Sequence, residues 1–174
     1  MAVLIQNKQG NFSLWSKNGT NDNAGMAGAN NKGDQAGVGS FNSPGEFMKS
    51  DLNPIVNKKT GEREYTEGYQ IPTTAKEDRA AEAGAKKELA KDYNVLGSNC
   101  ACTVQSALES GGKKDGRPTF LESAKAVTAG GIILGPILGP IMGPVAGGIA
   151  GSKTPNLIYK RIKEQNENGK VIRP

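Results

Sequence analysis

The chain begins with two short runs of residues typical of β-strands. Residues 2–5 are apolar, residues 11–16 alternate, and the polar tripeptide Lys8-Gln9-Gly10 separates the two runs. This pattern predicts two β-strands joined in a hairpin. A third brief apolar run, Tyr69-Gln70-Ile71, predicts another strand.

Helix-start signals occur later in the chain. Serine or threonine followed by proline, or by glutamate three positions on, is typical of a helix N-terminus. Such signals predict helices over about residues 43–50, 74–93 and 119–129, and from 154 to the Asn168-Gly169 stop. Strands near the start and helices after them predict an α+β fold.

Two polar stretches predict irregular structure. Residues 18–39 consist mostly of asparagine, glycine, alanine and aspartate, which predicts a long surface loop. Residues 53–68 are polar and rich in turn-forming residues.

Residues 126–152 contain no charged side chain and include a repeat in which glycine, usually followed by proline, recurs every four residues. About 20 apolar residues suffice to cross a bilayer, but three prolines and many glycines argue against a straight helix. Two interpretations stay open. The segment is either a buried or connecting part of the domain, or a surface covered by a membrane or a partner.

Composition narrows the function classes. The 174 residues are enough for one domain with its own core, and 24 glycines indicate many loops. The net charge is +5, but the lysines are interspersed with acidic residues, which argues against nucleic-acid binding. Such a basic surface also suits anionic envelope polymers or lipid headgroups. The start at a strand, without a basic lead, suggests a piece of a longer polypeptide rather than a signal peptide.

The two cysteines and the absence of histidine restrict the chemistry. Cys100 and Cys102 are two positions apart and form neither a structural disulfide nor, without histidine, a metal site. We therefore expect no metal and no cofactor.

Cys100 lies where a helix is expected to begin. Ser98-Asn99 is a polar cap, and a helix from Cys100 to Gly111 places residues 101, 104, 107 and 108 on one apolar face. Cys100 then lies at the edge of that face, while Cys102 points outward with residues 105, 106 and 109. The amides and dipole of a first helical turn favour a thiolate, which is how folds prepare a cysteine nucleophile. The alternative is that Cys100 is a small buried hydrophobic residue, like most free cysteines.

The sequence around Cys100 resembles that of a known family. The run Tyr-Asn-Val-Leu-Gly-Ser-Asn-Cys-Ala at 93–101, with Ala-Leu-Glu-Ser-Gly-Gly at 107–112, is similar to the cysteine motif of circularly permuted NlpC/papain-like domains. It is most similar to toxin domains at the C-terminal ends of bacterial Rhs-type polymorphic proteins. Further matches lie at residues 2–5, 40–50, 69–74 and 154–159.

The resemblance implies a single papain-like domain over 1–174, with a small antiparallel sheet packed against the cysteine helix. In the family, the first strand reads Gly-His-x-Ala-Val-Leu-Ile. Aligning residues 2–5 with this pattern places the catalytic histidine one position before Met1. The sequence thus departs from the family at its base. Either the domain was cut after that histidine, or this form is naturally or deliberately inactive. Without the histidine, Cys–His catalysis cannot operate, and lysine is a poor substitute base near neutral pH.

The resemblance also implies roles for individual residues. Cys100 is the nucleophile, and the Cys100 amide together with Asn99 supplies the oxyanion donors. Ser16, on the neighbouring strand, is the candidate for the group that orients the histidine. The reaction is acyl transfer through a thioester, on an amide of peptidoglycan peptides or an ester of lipids.

In biological terms, the resemblance implies an antibacterial effector delivered as part of a larger polypeptide, as in type VI secretion, to the envelope or periplasm of a target cell. The expected partners are a cognate immunity protein, the peptidoglycan or lipid substrate and a membrane surface, with no nucleic acid. Two alternatives remain open. One is a membrane-active, non-enzymatic toxin that inserts residues 126–152, and the other is a catalytically dead module bound by an immunity protein.

Overall fold

The computed structural model describes residues 1–18, 33–93, 98–117 and 155–174, which form small antiparallel sheets and helices. The α+β prediction is confirmed. The strands are β1 (Val3–Gln6), β2 (Phe12–Ser16), β3 (Gln35–Phe41), β4 (Ile55–Asn57), β5 (Glu62–Arg63), β6 (Gly68–Gln70) and β7 (Lys170–Ile172). The helices are α1 (Pro44–Lys49), α2 (Ala75–Leu89), α3 (Cys100–Ser110) and α4 (Pro155–Gln165).

The predicted hairpin of β1 and β2 is confirmed. The two strands pair antiparallel from Val3 opposite Trp15 to Gln6 opposite Phe12. In the turn, the Asn7 side-chain oxygen accepts hydrogen bonds from two backbone amides, and Gly10 adopts a φ of 88°, which a residue with a Cβ rarely adopts. The turn is therefore encoded locally.

β3 corrects the prediction of a loop over 18–39. It pairs antiparallel with β2, although its Gly37 and Gly39 have φ values of 68° and 75° and the pairing contains register shifts. Glycines in positive φ bend an edge strand while letting it stay paired. Because β3 is mostly exposed, it lacks the apolar alternation that marks a buried strand. Residues 19–32 of the predicted loop lie outside the described residues.

The helix-start signals at α1 and α2 are confirmed. Ser43 caps α1, and Thr74 and Glu77 form a reciprocal capping box at the start of α2. α2 ends at Leu89 rather than near residue 93, and the chain leaves the helix through a tighter turn in which the Lys91 amide donates to the Glu88 carbonyl. The predicted helix at 119–129 and the uncharged segment 126–152 lie outside the described residues.

The polar stretch 53–68 and the C-terminus hold strands that the sequence analysis missed. β4 and β5 form a small antiparallel pair, and β7 pairs antiparallel with β6. α4 begins at Pro155 as predicted but ends at Gln165, so that the chain can turn at Gly169 and form β7. None of these two- to three-residue strands carries an apolar period long enough to read.

The core joins the sheet to α2 and α3. One cluster packs Ile5 and Trp15 against Ala85, Leu89 and Ala107. A second cluster lies on the other face of the sheet, against α1, and its buried members are Leu14, Phe41, Phe47 and Met48. A third cluster joins α3 to α4, and its buried members are Ala101, Val104, Ile158 and Ile162. The predicted packing of the cysteine helix on the first strands is therefore confirmed.

α3 is more deeply buried than its predicted single apolar face. Ala101, Val104 and Ala107 are buried as expected, but Thr103 and Gln105 are buried as well. Gln105 corrects the prediction that its face points outward, since its side-chain amide donates to the Asp115 carbonyl. The helix is enclosed on several sides because α2, α4 and the sheet all pack against it. Within the described ranges, no helix is both long and apolar enough to cross a membrane.

Candidate functional site

Cys100 occupies the first helical position of α3, as predicted. The Asn99 side-chain oxygen accepts hydrogen bonds from the backbone amides of Ala101 (2.9 Å) and Cys102 (3.3 Å). This N-cap fixes where the helix begins, and with it the position of Cys100 in the first turn. The Asn99 oxygen is thus occupied by capping, and the Cys100 amide is not one of the two amides that it caps.

The start of β1 lies beside the Cys100 sulfur. The Met1 amino nitrogen is 3.5 Å from Cys100 Sγ, within hydrogen-bond distance for a sulfur acceptor. This contact joins residues that are 99 positions apart in the sequence. The expected closeness of Cys100 to the first strand is confirmed, and both cysteines are partly exposed thiols outside any disulfide.

Ser16 reaches the same place from the end of β2. Its side chain is fully buried, and its hydroxyl lies 3.2 Å from the Met1 carbonyl oxygen and 2.7 Å from Asn18 Oδ1. The hairpin brings Ser16 opposite the first residues of the chain, so that Met1 contacts Cys100 through its nitrogen and Ser16 through its carbonyl. Ser16 and Cys100, both singled out from the sequence, are brought together around Met1.

Two tyrosines that the sequence analysis did not assign to the site also surround it. Burial raises the pKa of Tyr65, the neighbouring Glu64 and Cys100 act in the same direction, and a hydrogen bond with Ser16 acts the other way. Burial also raises the pKa of Tyr93, with contributions from Cys100 and Asp34. Both phenols therefore stay protonated at neutral pH.

Tyr65 is held in place by Asn53 and by a residue of α1. The Asn53 side chain is fully buried and pairs with both the backbone amide (2.8 Å) and the backbone carbonyl (2.9 Å) of Tyr65. The Tyr65 ring packs against Phe47 of α1, with ring centroids 5.8 Å apart. No sequence signal pointed to Tyr65, because it lies in a polar stretch and its partners are distant in the chain.

A cleft of about 630 Å³ lies next to this cluster and runs along β1 toward β6 and α4. Met1 and Tyr65 line it, whereas Cys100 is not among its lining residues and is connected to it through Met1. Much of the lining is apolar or aromatic, including Val3, Ile71 and Tyr159. Its volume lies within the usual range for small-molecule and peptide-side-chain pockets.

The arrangement brings together a thiol at a helix start, the Met1 backbone and the Ser16 hydroxyl, in a chain that contains no histidine. A thiol at a helix start can attack an acyl carbonyl, and hydroxyl groups nearby can donate to the oxygen that becomes negative. In the described part of the chain, no group of three or more metal-ligating side chains is gathered. Comparison with known proteins gives no match to a family model, to a curated protein or to a solved structure.

Proposed function

We propose that this chain is a papain-like cysteine hydrolase or acyltransferase domain that acts as an antibacterial effector toxin, with Cys100 as its nucleophile. The observation that carries the proposal is the 3.5 Å separation between the Met1 nitrogen and Cys100 Sγ. A residue joined to that nitrogen has its backbone beside the sulfur. This is where the family pattern has its histidine.

In the proposed reaction, a histidine attached before Met1 takes the proton from Cys100, and the thiolate attacks the acyl carbonyl of the substrate. The leaving amine or alcohol receives the proton, and the acyl group stays on sulfur as a thioester. Water, or another hydroxyl or amine acceptor, then takes the acyl group and releases Cys100. Without a histidine the chain has no ordinary base for the first step, so the histidine-free form is inactive.

The substrate is an amide of peptidoglycan peptides or an ester of membrane lipids, and both belong to the bacterial envelope. The cleft beside Met1 supports an acyl substrate with apolar parts, because apolar and aromatic side chains line much of it. The proposed partners are a cognate immunity protein and an envelope or membrane surface, and the proposed delivery is as part of a larger secreted polypeptide.

The test compares the chain extended by Gly-His before Met1 with a matched chain extended by Gly-Ala. General-base catalysis contributes about 10²–10⁴-fold, so the Gly-His form is expected to be more active by that factor. Activity is measured as growth inhibition after export to the bacterial periplasm and as product release from purified peptidoglycan and from phospholipid vesicles. Mass spectrometry of the Gly-His form is expected to detect an acyl group on Cys100.

Cys100→Ser in the Gly-His form is the second control. It is expected to abolish both growth inhibition and product release, while Cys102→Ser leaves them unchanged. Equal activity of the Gly-His and Gly-Ala forms contradicts the Cys–His mechanism. Toxicity that survives Cys100→Ser favours the membrane-active alternative.

A further inference from the structure

A completely buried lysine connects the end of β2 to the end of α2. The Lys17 side chain has 0% exposure, and its Nζ donates to the carbonyl oxygens of Glu88 (2.8 Å), Leu89 (3.3 Å) and Lys91. An ammonium group has three N–H donors, and here three carbonyls accept them. The negative end of the α2 dipole adds to this stabilisation of a cation. Lys17 thus fixes the C-terminus of α2 relative to the strand that carries Ser16.

A buried glutamate continues this connection to the start of α3. Glu88 is 4% exposed; its Oε1 accepts a hydrogen bond from the Ser98 hydroxyl at 2.7 Å, and its Oε2 accepts one from Lys91 Nζ. Ser98 is itself buried and immediately precedes Asn99, the residue that caps the Cys100 helix. Glu88 therefore holds the residue before the cap in place.

We propose that Lys17 and Glu88 are positioning residues, which set where the Cys100 sulfur lies relative to Ser16 and Met1. The contacts run from Ser16, the last residue of β2, and the adjacent Lys17, through the last turn of α2, to Ser98, Asn99 and Cys100. The end of β2 is therefore connected to Cys100 by two sets of contacts. One is direct, through Ser16 and Met1, and the other is the buried network of Lys17 and Glu88. The relevance of this geometry to catalysis rests on the proposed function, but the geometry can be tested without it.

The physical reason for such a device is the cost of burying charge. A buried ammonium or carboxylate is tolerated only with its hydrogen bonds made, so the network has one low-energy arrangement. A packed apolar contact would allow small sliding of α3 along α2, whereas a buried charge with fixed acceptors does not. The first turn of α3, which carries Cys100, is therefore held at one place.

The test measures the alkylation rate of Cys100 by iodoacetamide at neutral pH, in a Cys102→Ser background so that a single thiol reacts. The rate is measured in the native protein and in concentrated urea, where the thiol has no structural environment. Glu88→Gln is expected to move the native rate by about fivefold or more toward the urea rate, since it weakens hydrogen bonds made to a charged group. Glu82→Gln is the matched control, because Glu82 lies on the same helix in a surface ion pair with Lys86.

A purely structural role predicts a different result. In that case Glu88→Gln lowers the melting temperature but leaves the native alkylation rate unchanged at temperatures where the variant is fully folded, and this outcome overturns the proposal. If Glu88→Gln does not fold, Ser98→Ala replaces it, because it removes only the hydroxyl and keeps the Glu88–Lys91 pair. Ser98→Ala is expected to shift the rate in the same direction, and Ser98→Thr, which keeps a hydroxyl, is expected to restore it.

Alkylation consumes the thiolate, whose proton goes to the buffer, so it needs neither the catalytic histidine nor a substrate. A shifted alkylation rate in a protein that shows no hydrolase activity even with Gly-His before Met1 supports the positioning role and contradicts only the proposed function. Unchanged alkylation in an active Gly-His form contradicts only the positioning role.

Discussion

The carbonyl oxygen of Gly84 in α2 accepts a hydrogen bond from the Ser106 hydroxyl of α3 at 2.9 Å, so the two helices touch backbone to side chain. A Cβ at position 84 would lie 2.3 Å from the Ser106 carbonyl oxygen and 2.4 Å from Ser110 Oγ. Both distances are far below a normal contact. The approach of the two helices therefore requires glycine at this position.

Gly84→Ala is expected to destabilise the fold by roughly 1–3 kcal/mol, although alanine is the better helix former, because α3 must move away from α2. Urea unfolding measures the change. Gly45→Ala is the matched control, since Gly45 is also helical but a Cβ there would come no closer than 3.8 Å to its nearest neighbour. A Gly84→Ala protein as stable as the parent contradicts the close approach.

Lys17→Met is expected to reduce stability, because it keeps the length of the side chain but leaves the α2 carbonyls without their donor. An unpaired buried polar group costs roughly 1–3 kcal/mol. The measurement is the free energy of unfolding in urea, with Lys8→Met on the exposed β1–β2 turn as the control. If Lys17→Met is neutral or stabilising, the Lys17 ammonium is not needed to satisfy the carbonyl groups at the C-terminus of α2.

Acid stability is expected to depend on Glu67, which connects the start of β6 to the C-terminal part of the chain. Hydrogen bonds from Lys163 (2.7 Å), Tyr159 (2.9 Å) and Arg173 (3.0 Å) lower the pKa of its carboxyl group to about 2. A carboxylate with a lowered pKa contributes stability above the ordinary value of 4.5, and this contribution is lost as the pH falls toward 2.

Glu67→Gln is therefore expected to be less stable than the parent at neutral pH, and the two proteins are expected to converge as the pH falls below about 4.5. Urea unfolding across this range measures the difference. Because the side chain is 24% exposed, added salt should also reduce it. Glu62→Gln, exposed on β5, serves as the control. A pH-independent difference would mean that the charge of Glu67 is not what stabilises the contact.

The features predicted from local sequence patterns were those encoded by near neighbours, whereas the closeness of Cys100 to the first strand was expected from the family resemblance and not from a local pattern. Ser43, Thr74 and Asn99 cap amides two to three residues ahead of them, so their helices could be read from short motifs. The β1–β2 turn depends in the same way on Asn7 and Gly10. The position of Cys100 at a helix start followed from such a local signal.

What escaped prediction depends on residues distant in the sequence. Lys17 resembles any polar residue after a strand, and only the fold brings it to carbonyls 71 to 74 positions away. Tyr65 is held in place by hydrogen bonds with Asn53 and by packing against Phe47 of α1, and these contacts leave no periodic pattern in the sequence. β3 was not predicted because its glycines are as common in loops as in bent edge strands. β7 has only three residues and is too short to show a pattern.

The 99-residue separation between Met1 and Cys100 also has a kinetic consequence. A contact of this span closes a longer loop than any contact within a helix, so we expect it to form after the local contacts of α2 and α3. During refolding, helices α2 and α3 can form before the sulfur has a neighbour from β1. The time at which the thiol acquires its native reactivity therefore reports completion of the tertiary fold rather than formation of the helix that carries it.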